Sequence, residues 1–179
     1  MQVKIGLLIA AILVVLTGCF SSAKDQAVAT ISPAQDTVSS NEFRLSAREQ
    51  EVYINFQQDL NEQHLKELDP ISIAKLYVQA SLDGKNEVVY ALYTDRKGHV
   101  QWTKEEHEQF AASDRGTKDQ ILKIFKHIET GKFIQTSDFE GYIEYQSIKD
   151  AENKPENKSG FKMIKDEDGI WNVSFQPIQ

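Results

Sequence analysis

Hydrophobic positions fall along this chain in four regimes. Residues 5–16 form an unbroken uncharged run. In residues 20–41 single apolar side chains sit among Ser, Thr, Gln, Asp and Pro at no regular interval. From residue 46 to residue 128 apolar positions recur every three or four, and from Lys132 onward every two. Spacings of three to four and of two are the signatures of a helix face and a half-buried strand.

Within the third regime the punctuation is dense. Ser46 followed by Glu49 is a capping-box pair, and the stripe Val52, Tyr53, Phe56, Leu60, extended by His64, predicts a helix to about Lys66. Asp69 as N-cap, Pro70 at the first helical position and Asp83-Gly84 at the end predict a second helix. Its polar residues Ser72, Lys75 and Gln79 occupy one narrow strip, so it is expected to be buried on most of its circumference. A short helical segment over residues 87–93 carries Val88, Val89, Leu92 and two tyrosines. Thr103 with Glu106 opens a helix to about Ser113. Thr117 with Gln120 opens another, whose face is Ile121, Ile124, Phe125 and Ile128 and whose stop is Gly131.

In the last regime Phe139, Ile143 and Tyr145 alternate with Glu140, Glu144 and Gln146, and residues 151–160 read as a polar loop. Residues 160–166 and 170–177 form a hairpin around Asp168-Gly169. A two-residue turn would mix polar and apolar faces. A three-residue loop with Gly169 in the left-handed position pairs Phe161 with Phe175 and Met163 with Val173. That register places Phe161, Met163, Trp171, Val173 and Phe175 on one face and leaves Ile164 and Ile170 outside it. Helices followed by an antiparallel meander with one apolar face predict an α+β domain, N-terminal helices packed on a curved antiparallel sheet.

The first regime reads as a processing signal. Twelve uncharged residues after Lys4 are too few for a membrane span, which needs about 20, and match the apolar core of a secretory signal peptide. The residues that follow, Leu16-Thr17-Gly18-Cys19, resemble the lipobox of bacterial lipoproteins. The resemblance implies cleavage between Gly18 and Cys19, a diacylglycerol thioether on Cys19, and a domain held at the extracytoplasmic face of the cell membrane. Cys19 is the only cysteine, so the exported part has no disulfide and no cysteine metal site. Two acyl chains hold a protein stably at a bilayer, where one holds it only marginally. The expected organisation is therefore a signal peptide at residues 1–18, a lipidated cysteine and flexible tether at 19–41, and a single α+β domain at 42–179.

Charge narrows the partners. Twenty Lys and Arg stand against 27 Asp and Glu, a net −7; loss of Lys4 with the leader leaves 19 against 27, or −8. Such a domain is repelled by anionic lipid and by nucleic-acid phosphates, and no basic run with interleaved aromatics is present. Nucleic acid is excluded as a partner. An envelope protein, a wall polymer or a small ligand remains.

A second resemblance concerns the fold. The stretch from Ile73 through Lys75-Leu76-Tyr77, Ala80 and Asp83-Gly84 to Val88-Val89-Tyr90 and Tyr93 is similar to a signature of nuclear-transport-factor-2-like domains in secreted and lipid-anchored bacterial proteins. It implies a cone-like fold with a pocket between helices and sheet, around which Tyr77, Tyr90, Tyr93, Trp102, Tyr145 and Trp171 would lie. Isomerases and dehydratases of that superfamily use a carboxylate or a His–Asp pair inside the cone. Asp95 and His99 are the best available pair, though residues 94–99 read as a solvated turn. His64, His99, His107 and His127 show no two-histidine helical spacing, so no metal and no cofactor is expected; His127, off its helix's apolar face, is expected in solvent. Asn157-Lys-Ser159 and Asn172-Val-Ser174 match glycosylation acceptors, which carry little meaning in a bacterial lipoprotein. The reading is a tethered, non-enzymatic binding or regulatory module, with a small-molecule carrier or isomerase-like enzyme as the alternative.

Overall fold

The structure is a computed structural model that describes residues 43–125, 127–146, 154 and 157–178, all within the second of the chain's two units, residues 39–179. The leader, Cys19, the tether and half of the polar loop at 151–160 lie outside the described residues.

Helix α1, Ala47–Asp59, starts where its capping box places it. The Glu49 N–H donates to Ser46 Oγ at 3.3 Å, and the Ser46 N–H donates to the Glu49 carboxylate at 2.6 Å. It does not continue to Lys66. Leu60 turns left-handed (φ 55°) with its N–H on the Phe56 carbonyl, Asp59 takes the Asn61 N–H, and Asn61 caps a 3-10 turn at Glu62–Leu65. The break buries Leu65 completely and leaves His64 half-buried beside Asp59 at 3.1 Å.

Helix α2, Pro70–Asp83, keeps both expected ends: Asp69 accepts the N–H groups of Ile71 and Ser72, and Gly84 (φ 68°) closes it. It packs against α3 (Asn86–Ala91), α5 (Lys118–Phe125) and the last strand, which makes it the centre of the helical layer. Its polar strip is not all solvated. Lys75 is buried and forms an ion pair with Glu49, which is buried as well. Burial pushes the Glu49 carboxyl up, but the Lys75 hydrogen bond, the Ser46 N–H, Ser72 and the Lys75 charge outweigh it and hold the group below its ordinary value. The α1 cap and the α1–α2 contact thus share one carboxylate.

Helix α4, Lys104–Gln109, opens with its Thr103–Glu106 capping box but stops four residues short of Ser113. Phe110 is extended, and Arg115, at the end of a 3-10 turn (Ala112–Arg115), takes the carbonyls of His107, Glu108 and Phe110 that a longer helix would have used. Helix α5 buries Ile121 and Phe125; Ile124 is exposed, and Ile128 is buried in a further 3-10 turn, Ile128–Thr130. His127 is buried too, not in solvent, because the chain leaves the α-helical track before it.

The strands β1 (Lys132–Gln135), β2 (Glu140–Gln146), β3 (Lys158–Lys165) and β4 (Trp171–Ile178) form an open antiparallel sheet in sequence order, so the domain is α+β. Ile143, Tyr145, Phe161, Met163, Val173 and Phe175 are buried. The β3–β4 turn has the expected three-residue loop: the Asp166 N–H donates to the Ile170 carbonyl, Gly169 has φ 89°, and Met163 faces Val173. Further from the turn a bulge between Phe161 and Met163 moves Phe161 opposite Ile178 rather than Phe175. Ile164 and Ile170 are buried, against expectation. The chain after α3 lies against that side of the hairpin: Thr94 and Asp95 hydrogen-bond Asp166, and Arg96 donates to the Lys165 carbonyl at 2.8 Å and sits over Phe139. Asn172 is buried within the same group, so its acceptor motif is not at the surface.

Removing one partner of the Lys75–Glu49 pair leaves a buried charge. Lys75→Ala should lower stability by about 3–5 kcal/mol. Lys75→Met combined with Glu49→Gln, which keeps a capping group, should recover most of that loss; urea unfolding of the three proteins checks both.

Candidate functional site

A cavity of about 250 Å³ opens between α2, α3, α4 and the 3-10 turn after it. Tyr77 and Ser81 come from one face of α2, four residues apart, and Asn86 and Val89 from α3. Tyr93 follows α3, where the Val173 N–H donates to the Leu92 carbonyl at 2.8 Å and the Thr94 N–H to the Val173 carbonyl at 2.9 Å. Trp102, His107, Phe110, Asp114 and Arg115 close the remaining side.

The aromatic walls brace each other. Tyr93 stacks on Phe175 with centroids 4.6 Å apart, and Trp102 meets both edge-on, at 5.8 and 4.8 Å. The Tyr77 and Tyr93 hydroxyls are 3.2 Å apart, and burial pushes both phenols up. His107 is the one buried residue of α4, 5% exposed, and its ring packs on Tyr90 and Tyr93. Burial and then the Arg115 charge lower its pKa, against smaller upward effects of the Asn86 backbone and Glu108. The ring is therefore neutral at pH 7. Arg115 Nη1 lies 3.4 Å from His107 Nε2, and a guanidinium can only donate, so Nε2 accepts and the ring proton sits on Nδ1. Trp102 Nε1 has no hydrogen-bond partner.

A smaller cavity of about 120 Å³ lies across Tyr93 from the first, lined also by Glu62, Tyr90, Asp95 and Phe175. Burial, then the charges of Asp95, Asp166 and Asp168, push the Glu62 carboxyl up to about 7. Beside it Asp166 is buried and accepts from Thr94 Oγ1, the Asp95 N–H at 3.1 Å and Asn172 Nδ2 at 2.8 Å; burial still leaves its carboxyl above its ordinary value.

Of the six aromatic residues expected around one pocket, Tyr77, Tyr93 and Trp102 share the larger cavity. Tyr90 lines the smaller one and donates to the Trp102 carbonyl at 3.3 Å. Tyr145 is separate: its hydroxyl donates to the Ile124 carbonyl at 3.1 Å, burial raises it to about 12, and its nearest opening is a shallow surface depression beside Lys132 and Lys158. Trp171 packs on Phe133 at 4.8 Å, under Lys165, away from either cavity. Asp95 and His99 are not joined by a hydrogen bond: Asp95 is exposed at the rim of the smaller cavity, and His99 packs on Phe139. Among the described residues no cluster of His, Cys, Asp and Glu is placed to hold a metal, and no helix is long and apolar enough to cross a membrane. Phe110, Asp114, Arg115 and Glu62 carry no signal in the sequence, and His107 is weighed there only as a metal ligand. The Thr103–Glu106 capping box was the available signal for His107, since it fixes which side of a short helix that residue occupies.

No family model, no curated protein and no solved structure matches the chain.

Because Glu62 is protonated more readily folded than unfolded, its contribution to stability is fully present below pH 4.5 and is lost as pH rises toward about 7. Glu62→Gln should therefore be neutral at pH 4 and stabilising at pH 8, by about 1 kcal/mol once solvent screening of this half-buried group is allowed for. Urea unfolding at the two pH values measures the difference, and carbon NMR of the Glu62 carboxyl reads its titration directly.

Proposed function

We propose that this chain is a membrane-tethered, non-enzymatic binding module of the cell envelope, and that it binds its ligand in the cavity beside Tyr93. Two lines support the reading. The order of a basic residue, an apolar run and Leu16-Thr17-Gly18-Cys19 matches a lipoprotein leader in every part, and a diacylglycerol on Cys19 suffices as an anchor. The observation that carries the binding half is the cavity itself: aromatic walls, a few polar groups and the unpaired Trp102 N–H among the residues lining it. The likeness of residues 73–93 to nuclear-transport-factor-2-like domains belongs to the same proposal, because a pocket between helices and sheet is what that fold would offer.

A second reading, an isomerase- or dehydratase-like enzyme, is favoured by the Glu62 carboxyl at about 7, a value suited to a general base near neutral pH. The binding reading ranks first because the larger cavity holds no carboxylate–histidine pair; its histidine instead faces an arginine.

The anchor and the partner are tested together. The wild-type chain should incorporate labelled palmitate and sediment with membranes, and Cys19→Ala should do neither. In-cell crosslinking should then give a wall or envelope component with the wild type that is lost in Cys19→Ala. Palmitate incorporation by Cys19→Ala would contradict the assigned anchor, and crosslinks unchanged by the substitution would contradict the tethered role.

A further inference from the structure

The larger cavity is lined by a cation whose charge the protein does not answer. Arg115 donates to the carbonyls of His107, Glu108 and Phe110 and to His107 Nε2, all of them neutral. Among the described residues no carboxylate pairs with it. A guanidinium carries five N–H groups. The Nε and Nη2 groups go to the three carbonyls and one Nη1–H to the imidazole, so the second Nη1–H is left for an acceptor. The charge also reaches into the cavity: burial pushes the Tyr93 phenol up, and Arg115 is the one influence that pulls it back. The neighbouring acids Glu108 and Asp114 are exposed, where solvent screens them, and Asp114 accepts from the Ser113 hydroxyl at 3.1 Å; Arg115 is half-buried.

Two further groups in the same cavity suit an anion. The Tyr77 and Tyr93 hydroxyls are 3.2 Å apart, so one donates to the other and a single phenolic proton remains available. The Asn86 side-chain amide has no protein partner among the described residues. Asn86 and Arg115 flank one ring, since His107 is hydrogen-bonded to the Asn86 backbone and to Arg115. Size and charge then narrow the anion. About 250 Å³ holds a body of about one ring, set against Val89, Tyr93, Trp102 and Phe110. One open guanidinium N–H beside Asp114, in a chain of net charge −7, favours a single negative charge over two. Resting on the reading of this cavity as the binding site, we infer that it takes a monocarboxylate with a small aromatic or apolar body. The carboxylate accepts from Arg115 Nη1, with the tyrosine hydroxyl and the Asn86 amide beside it, and the body lies against Tyr93 and Trp102. Entry opens along residues 102–115, where α4 is held by one buried residue, His107.

The test follows the Trp102 indole N–H and the Arg115 Nε–H of the full chain in detergent at pH 7 by nitrogen–proton NMR, with Trp171 as internal control. Benzoate and phenylacetate are compared with their neutral amides, benzamide and phenylacetamide, with the cation benzylamine and with phenyl phosphate. At least one carboxylate should shift Trp102 and Arg115 but not Trp171, and bind roughly tenfold or more tightly than its own amide. Arg115→Gln removes the charge and keeps donors for the carbonyls; it should bring acid and amide to about equal affinity. Amide binding then reports that the cavity is still formed. Should that variant not fold, Asp114→Asn decides instead: loss of the opposing charge should tighten the carboxylate about twofold or more and leave the amide unchanged. Equal binding of acid and amide by the wild type, or tighter binding of benzylamine or phenyl phosphate, would overturn the ligand class while leaving the cavity a binding site. An acid preference that survives in folded Arg115→Gln, or an unchanged carboxylate affinity in Asp114→Asn where that variant decides, would do likewise. Failure of every probe to move Trp102 would overturn both the ligand class and the binding-site reading.

Discussion

The chain leaving α3 is hydrogen-bonded to the last strand of the sheet at one short crossing, and the wall shared by both cavities depends on it. Leu92 and Thr94 each exchange a backbone hydrogen bond with Val173, so the chain leaving α3 runs parallel to β4 for three residues. Backbone groups at that depth need partners, and β4, an outer strand of the sheet, has a free row of them. Tyr93, between the two bonded residues, is thereby pinned onto Phe175 and becomes the wall shared by the two cavities. The two residues that follow are tied again, through Asp166, to the turn of the β3–β4 hairpin.

Around that crossing polar groups are buried in two contrasting ways. Asp166 is supplied with three donors, and Glu49 with a lysine and a helix cap. Such groups hold elements in register. Trp102 Nε1 is buried with no partner beside the larger cavity.

Much of this was legible in the residues. The three capping boxes, the Asp69-Pro70 start and Gly84 stop of α2, and the three-residue turn at Gly169 all depend on side chains a few residues apart, and each is where spacing placed it. The α+β class follows from the change of period after Lys132. The failures are of another kind. Leu60 in a left-handed conformation ends α1 early, and nothing about leucine announces that. Lys75, Ile164 and Ile170 are buried by partners distant in sequence, which periodicity cannot see, and His127 is buried because the chain leaves the helical track before it. Half of the aromatic set came together because Tyr77, Tyr93 and Trp102 surround the crossing; Tyr145 and Trp171, elsewhere on the sheet, could not be separated from them by composition. His107 and Arg115 belong to an arrangement of helix end and returning arginine that no local motif encodes.

The account rests on a rigid crossing beside a yielding flap, and native-state hydrogen exchange resolves the two residue by residue. The amides of Thr94 and Val173 should exchange only through global unfolding, and the amides of Lys104–Gln109 that are bonded within α4 should exchange through a local opening of much lower free energy. Protection of α4 equal to that of Thr94 and Val173 would contradict the account, since the segment over the cavity would then be part of the rigid core.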